Sequence, residues 1–83
     1  MSYNLLYTKT AALDIKKLDT VARKKIRKKI ETYREKPIYY GKKLVNSAIG
    51  SYRWRAGNYR IVFDIDGNNI VILRVGHRRE IYK

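Results

Sequence analysis

The chain has 83 residues, with 20 Lys and Arg against 7 Asp and Glu, a net charge of +13, one histidine and no cysteine. That length holds one domain around one core; the lack of cysteine excludes disulfides, thiolate metal sites and a Cys nucleophile, and a lone His77 argues against a His-rich zinc centre. With no apolar run near the roughly 20 residues of a membrane span and no signal-peptide pattern, the expectation is a cytoplasmic protein without membrane contact, whose positive charge attracts nucleic acid by counterion release.

Residues 3–8 (Tyr-Asn-Leu-Leu-Tyr-Thr) read as a first strand, enriched in aromatic and aliphatic side chains. Thr8 or Thr10 can cap a short helix to about Leu18, with Ala11, Ile15 and Leu18 at helical spacing. Asp19 or Thr20 caps a longer one, whose apolar stripe is Ala22, Ile26, Ile30 and Tyr33. Its opposite side carries Arg23, Lys24, Arg27, Lys28 and Arg34. Those charges read first as a solvated face, and second as contacts to an RNA backbone. Pro37 is expected to end this helix, because the residue before a proline is pushed out of the helical region.

Residues 38–51, which include Lys42 and Lys43, read as a connector ordered by Leu44 and Ile49. Three strands follow at about 52–56, 59–65 and 70–75. Gly57-Asn58 closes the first hairpin, since both residues tolerate positive φ, and Asp66-Gly67-Asn68-Asn69 closes the second. The predicted register sets Ala56 opposite Tyr59, Arg55 opposite Arg60, Trp54 opposite Ile61, Phe63 opposite Ile72 and Ile65 opposite Ile70. It leaves one awkward position: Arg74 falls opposite Ile61 on the core face, so either it sits at the sheet margin or the register slips. The predicted fold is α+β, in the order β-α-α-β-β-β. Two N-terminal helices pack on one face of a mainly antiparallel four-stranded sheet.

Strand alternation gathers Arg53, Arg55 and Arg60 on the face away from Trp54, Tyr59, Ile61 and Phe63. Arg78 and Tyr82 arrive just after the last strand. Like charges opposite one another destabilise a sheet, so this cluster points to a bound anion. Guanidinium groups bind phosphate bidentately and stay charged, and several on one phosphate can stabilise the transition state of phosphoryl transfer. RNA carries its own nucleophile in the 2′-OH, so cleavage needs proton transfers and charge stabilisation, tasks that suit Arg, Tyr and, secondarily, His77. No metal or other cofactor is expected.

The segment from Tyr52 to Phe63, the short acidic hairpin, and the run from Ile72 to Tyr82 (Ile-Leu-Arg-Val-Gly-His-Arg-Arg-Glu-Ile-Tyr) together resemble the RelE toxins of the RelE/ParE superfamily. The resemblance covers nearly the whole chain and implies a single toxin domain over residues 1–83. It implies a type II toxin-antitoxin system, in which the toxin cleaves messenger RNA in the ribosomal A site and inhibits translation. The partners it implies are the ribosome, messenger RNA and a cognate acidic RelB-like antitoxin.

The family's cleavage residues fall on Arg53, Arg55, Arg60, Arg78 and Tyr82. RelE toxins carry lysines where this chain has Arg53 and Arg55, and arginine is a poor base, which shifts the base assignment toward Tyr82. RNA or ribosome contacts fall on Arg23, Lys24, Arg27, Lys28, Lys42 and Lys43. Two other readings stand beside this one. One is a ParE-like inhibitor of DNA gyrase; the other is a nucleic-acid-binding module without catalysis.

Overall fold

The computed structural model describes residues 3–45 and 49–81. The elements run β1 (Asn4–Tyr7), α1 (Lys9–Lys16), α2 (Thr20–Tyr33), α3 (Pro37–Tyr40), β2 (Lys42–Lys43), β3 (Tyr52–Ala56), β4 (Tyr59–Asp66), β5 (Asn69–His77) and α4 (Arg78–Ile81). The strands form one sheet in the order β1-β5-β4-β3-β2. β1 pairs in parallel with β5, and the remaining pairs are antiparallel. The sheet thus has five strands among the described residues, not four. The fifth is the two-residue β2, set against β3 with Lys42 opposite Arg53 and Lys43 opposite Tyr52.

Local chemistry explains the helix starts. Thr8 Oγ accepts from Ala11 N at 3.0 Å and Asp19 Oδ1 from Ala22 N at 2.8 Å, so each side chain caps a helix. Ala22, Ile26 and Ile30 bury the predicted stripe of α2 against the sheet. The end of α2 differs from expectation: the helix closes at Tyr33, and Pro37 opens α3 instead of terminating α2. Proline suits a first helical position because it has no N–H to leave unpaired. The Pro37 carbonyl in turn accepts from Trp54 Nε1 at 3.1 Å, which fixes α3 against the core. Residues 38–51 therefore hold a helical turn and a strand where only a connector was expected; Asn46 and Ser47 lie outside the described residues.

Ala56 pairs with Tyr59, Arg55 with Arg60, and Trp54 with Ile61, as the hairpin reading requires. Gly57 and Gly67 occupy the two turns with φ of +65° and +60°. The predicted Phe63–Ile72 and Ile65–Ile70 pairs also form. Beyond Phe63 the register slips. Val62 pairs with Arg74 and Ile61 with Val75, leaving Leu73 as an extra residue in β5. This bulge resolves the awkward arginine: Val75 takes the buried place, and Arg74 Nε donates to Asp14 Oδ2 at 2.8 Å. The Leu73 carbonyl is satisfied from β1's side by the Thr8 hydroxyl at 3.0 Å.

The core lies between the helices and one face of the sheet, around Trp54, Ile61, Phe63, Ile70 and Ile72 with Ala11, Ile26 and Ile30. Among the described residues, the Gly50-Ser51 stretch lies over part of the opposite face. Gly50 lies so close to Val62 and Leu73 that any Cβ would come within 2.5 and 2.8 Å of their side chains. Ser51 N donates to Asp64 Oδ1 at 2.7 Å. The half of that face nearer the Gly57 turn is where the arginines stand. Among the described residues no helix is long and apolar enough to cross a membrane.

Candidate active site

Arg55 and Arg60 are direct cross-strand partners, and Arg53 precedes Arg55 by two residues along β3 on the same face. β2 adds Lys42 opposite Arg53, which joins a predicted contact residue to the cluster. Arg60 is 6% exposed. Its Nη1 donates to the Gly57 and Tyr59 carbonyls at 2.9 and 3.0 Å, so the guanidinium is folded back against the turn. On its other side Arg60 pairs with Gly76, a position that has no side chain to crowd it. Arg55 is exposed and Arg53 half-buried.

Arg78 reaches the same end of the sheet by a backbone contact: its N–H donates to the Asn58 carbonyl at 2.8 Å. Buried Ile81 anchors the single turn of α4 that Arg78 begins. The Gly76-His77 stretch before it is strand, paired with Arg60 and Tyr59. The turn, Arg55, Arg60 and Arg78 thus converge on one corner. Tyr82 lies outside the described residues.

His77 is not brought into this corner. It pairs with Tyr59 on the helix-bearing face, their rings 5.9 Å apart and edge-on, and its Nδ1 accepts from Arg79 N at 3.2 Å. It lines a cleft of about 380 Å³ with Asp14, Lys17, Arg74 and Glu80. The α2 cations divide by role. Arg23 Nη2 donates to the Leu18 and Lys16 carbonyls at 2.8 and 3.2 Å, closing the end of α1. Arg27 lines a groove with Tyr7, Ala12 and Ile15, while Lys24 and Lys28 are exposed on the outer side.

One cation at the corner is absent from the sequence reading. Lys25 Nζ comes within 2.7 Å of the place a Gly57 Cβ would occupy, so the amine lies over the turn. Its signal was its position beside Ile26 on the flank of the apolar stripe, which turns it toward the sheet rather than outward.

Guanidinium and ammonium groups are the side chains that bind phosphate, and this corner carries Arg55, Arg60, Arg78 and Lys25. A family model described as the ParE toxin of type II toxin-antitoxin systems matches residues 5–82. Toxin RelG of Mycobacterium tuberculosis is 33% identical over 100% of this chain and 99% of its own length. Toxin RelE3 of Methanocaldococcus jannaschii is 34% identical over 94% and 93%. Among solved structures, the RelBE2 toxin-antitoxin complex of M. tuberculosis superposes with a TM-score of 0.85 at 31% identity, covering 94% of this chain and 100% of that one. The intact RelBE complex of E. coli gives 0.73 at 23% identity, over 92% and 96%, a likeness of fold. By its sequence over nearly its full length and by its fold, the chain belongs to the RelE/ParE family of toxins of type II toxin-antitoxin systems.

Proposed function

We propose that this toxin is a ribosome-dependent endonuclease that cuts messenger RNA in the A site and is neutralised by an acidic RelB-like antitoxin. The observation that carries the reading is the corner itself. Arg55 faces Arg60 across β3 and β4, and the Arg78 backbone is tied to the Asn58 turn beside them. Keeping like charges opposite one another costs stability, which a phosphate between them would offset.

In the proposed reaction the 2′-oxygen attacks the adjacent phosphorus, its proton passes to a base, and the P–O5′ bond breaks. The products are a 2′,3′-cyclic phosphate and a 5′-hydroxyl. Arg55 and Arg60 carry the charge that builds on the equatorial oxygens, and Arg53 with Lys42 holds the neighbouring backbone. Arg78 shields the charge that develops on the leaving 5′-oxygen, which takes its proton from water. The resemblance gives Tyr82 the 2′-OH proton or the orientation of the nucleotide, because Arg53 and Arg55 are poor bases. The arginines supply charge and the ribosome supplies the fixed RNA geometry, worth as much as any single catalytic group.

Cleavage of a defined message on purified ribosomes, mapped by primer extension, tests the reading. Cuts in the A site that require translation are expected, and equal cutting of naked RNA would refute the ribosome dependence. The family model's description as a ParE toxin favours the second reading, inhibition of DNA gyrase. Block of supercoiling with no message cleavage would establish that alternative.

A further inference from the structure

The side of α2 that borders β3 carries Lys25, Lys29 and Tyr33 at four-residue spacing, which aligns them in one row along the helix. The row begins over the Gly57 turn, at Lys25. It ends where the Tyr33 hydroxyl donates to the Arg55 carbonyl at 3.0 Å, in the part of β3 beyond its pairing with β2. Lys29 Nζ stands 5.8 Å from the Tyr33 ring centroid. Beyond Tyr33 the aromatic row continues onto α3: Tyr40 lies 4.9 Å from Tyr33, and Tyr39 lies edge-on to Tyr40 at 5.1 Å. Lys36 Nζ is 5.7 Å from the Tyr39 ring.

At its inner end this row is rooted in the core, with Tyr33 against Trp54 at 5.6 Å and Trp54 against Phe63 at 4.1 Å. At its outer end Tyr39 is 79% exposed. An aromatic side chain left in water, edge-on to a second ring and beside the Lys36 ammonium, contributes little to folding and has the features of a binding surface.

We propose that this row is a track for single-stranded RNA leaving the arginine corner, with Lys25 and Lys29 holding phosphates and Tyr39 stacking on an unpaired base. Charge selects an anionic partner, and ammonium groups set beside rings select one that carries both phosphates and flat bases. From Lys25 to Tyr33 the helix rises about 12 Å, the reach of a few nucleotides beyond the scissile phosphate. The track rests on the RNA-cleavage reading, since it says where that strand runs.

The test uses the full-length toxin and two probes: a short single-stranded RNA carrying a fluorescent base, and an oligomer of the same length made of abasic ribose phosphates. Tyr39→Ala is expected to weaken RNA binding roughly 5- to 100-fold and to remove quenching of the fluorescent base, with no change for the abasic oligomer. Tyr39→Trp restores both signals. Lys25→Gln and Lys29→Gln weaken both probes alike, each lowering the salt slope by about 0.7. Wild-type RNA affinity in Tyr39→Ala, equal losses on both probes, or a loss confined to an acidic protein partner would overturn the track. If wild-type toxin shows the stacking signature yet never cuts translated message, the cleavage reading falls and the track stands. If it cuts while Tyr39→Ala binds RNA normally, only the track falls.

Discussion

On the helix-bearing face of the sheet, Trp54, Ile61 and Phe63 are fully buried, while the same two strands turn Arg53, Arg55 and Arg60 to the other side. The first face is bound by dispersion and apolar burial, which reward every neighbour. The second sets cation opposite cation, which weakens pairing. One face therefore contributes the stability that lets the other hold an arrangement with no folding advantage of its own. Among the described residues, α1 and α2 close the apolar face, and Gly50 and Ser51 lie over Val62 and Asp64 on the charged one.

The largest expected effect lies on the apolar side. Trp54→Ala removes a ring packed against Phe63 and Tyr33 together with the bond to the Pro37 carbonyl. It should cost about 3–5 kcal/mol and lower the urea midpoint steeply. Arg78→Ala and Arg55→Ala are the reciprocal experiment. Both residues are exposed, so stability should move by less than about 0.5 kcal/mol while message cleavage falls about 10²–10³-fold. If these two variants lost stability and kept cleavage, the division between the faces would be drawn in the wrong place.

Much of that division was legible in the residues. Gly57-Asn58 permits a tight turn, and alternation then fixes Arg55 opposite Arg60 without knowledge of the rest of the fold. What could not be read depends on partners distant in sequence. The Leu73 bulge is accommodated by a hydroxyl 65 residues away, at Thr8. The two-residue β2 exists only through its pairing with β3, since Lys42-Lys43 has no strand pattern of its own. Pro37 was read as a stop because it disfavours helix before it; its value as the first residue of a new helix depends on Trp54 holding the Pro37 carbonyl. The parity of β3 and β4 sets Arg53, Arg55 and Arg60 on one face of the sheet, as the sequence implied. Lys25 went unseen because only the docking of α2 brings it over Gly57, and His77 was offered as an acid–base group although pairing turns it to the helix side.

An intermediate effect comes from the joint between α1 and the free part of β5. Asp14 accepts from the Val75 N–H at 3.0 Å and from Arg74 Nε at 2.8 Å. The Arg74 side chain is 39% exposed, so the ion pair itself counts for little. The backbone bond is the larger part, because Asp14→Ala leaves a part-buried N–H without an acceptor. The variant should lose about 1–3 kcal/mol in urea unfolding at an unchanged m-value, with cleavage per folded molecule retained. A fall in specific activity would instead show that α1 helps to position the arginine corner.

The smallest effect separates the faces by pH. Tyr7 sits on the helix-bearing side, lining a groove with Ala12, Ile15 and Arg27. Burial raises its phenol above the ordinary value of 10.0, and Glu31 adds to the rise against the opposing pull of Arg34 and Arg27. A raised pKa means the folded state favours the neutral phenol, so this contribution is intact below pH 10.0 and is lost as pH climbs through the higher folded value. Tyr7→Phe removes the ionisation and keeps the ring. The variant should match wild type near neutrality and lose less stability on the alkaline side. Because Tyr7 is 45% exposed, the gap stays under about 1 kcal/mol. Lysine deprotonation in the same range affects both proteins alike, so the difference between their denaturation curves isolates the phenol. Message cleavage at neutral pH should be unchanged. Parallel stability curves throughout the alkaline range would remove Tyr7 from the packed side, and a loss of cleavage would place it with the arginines instead.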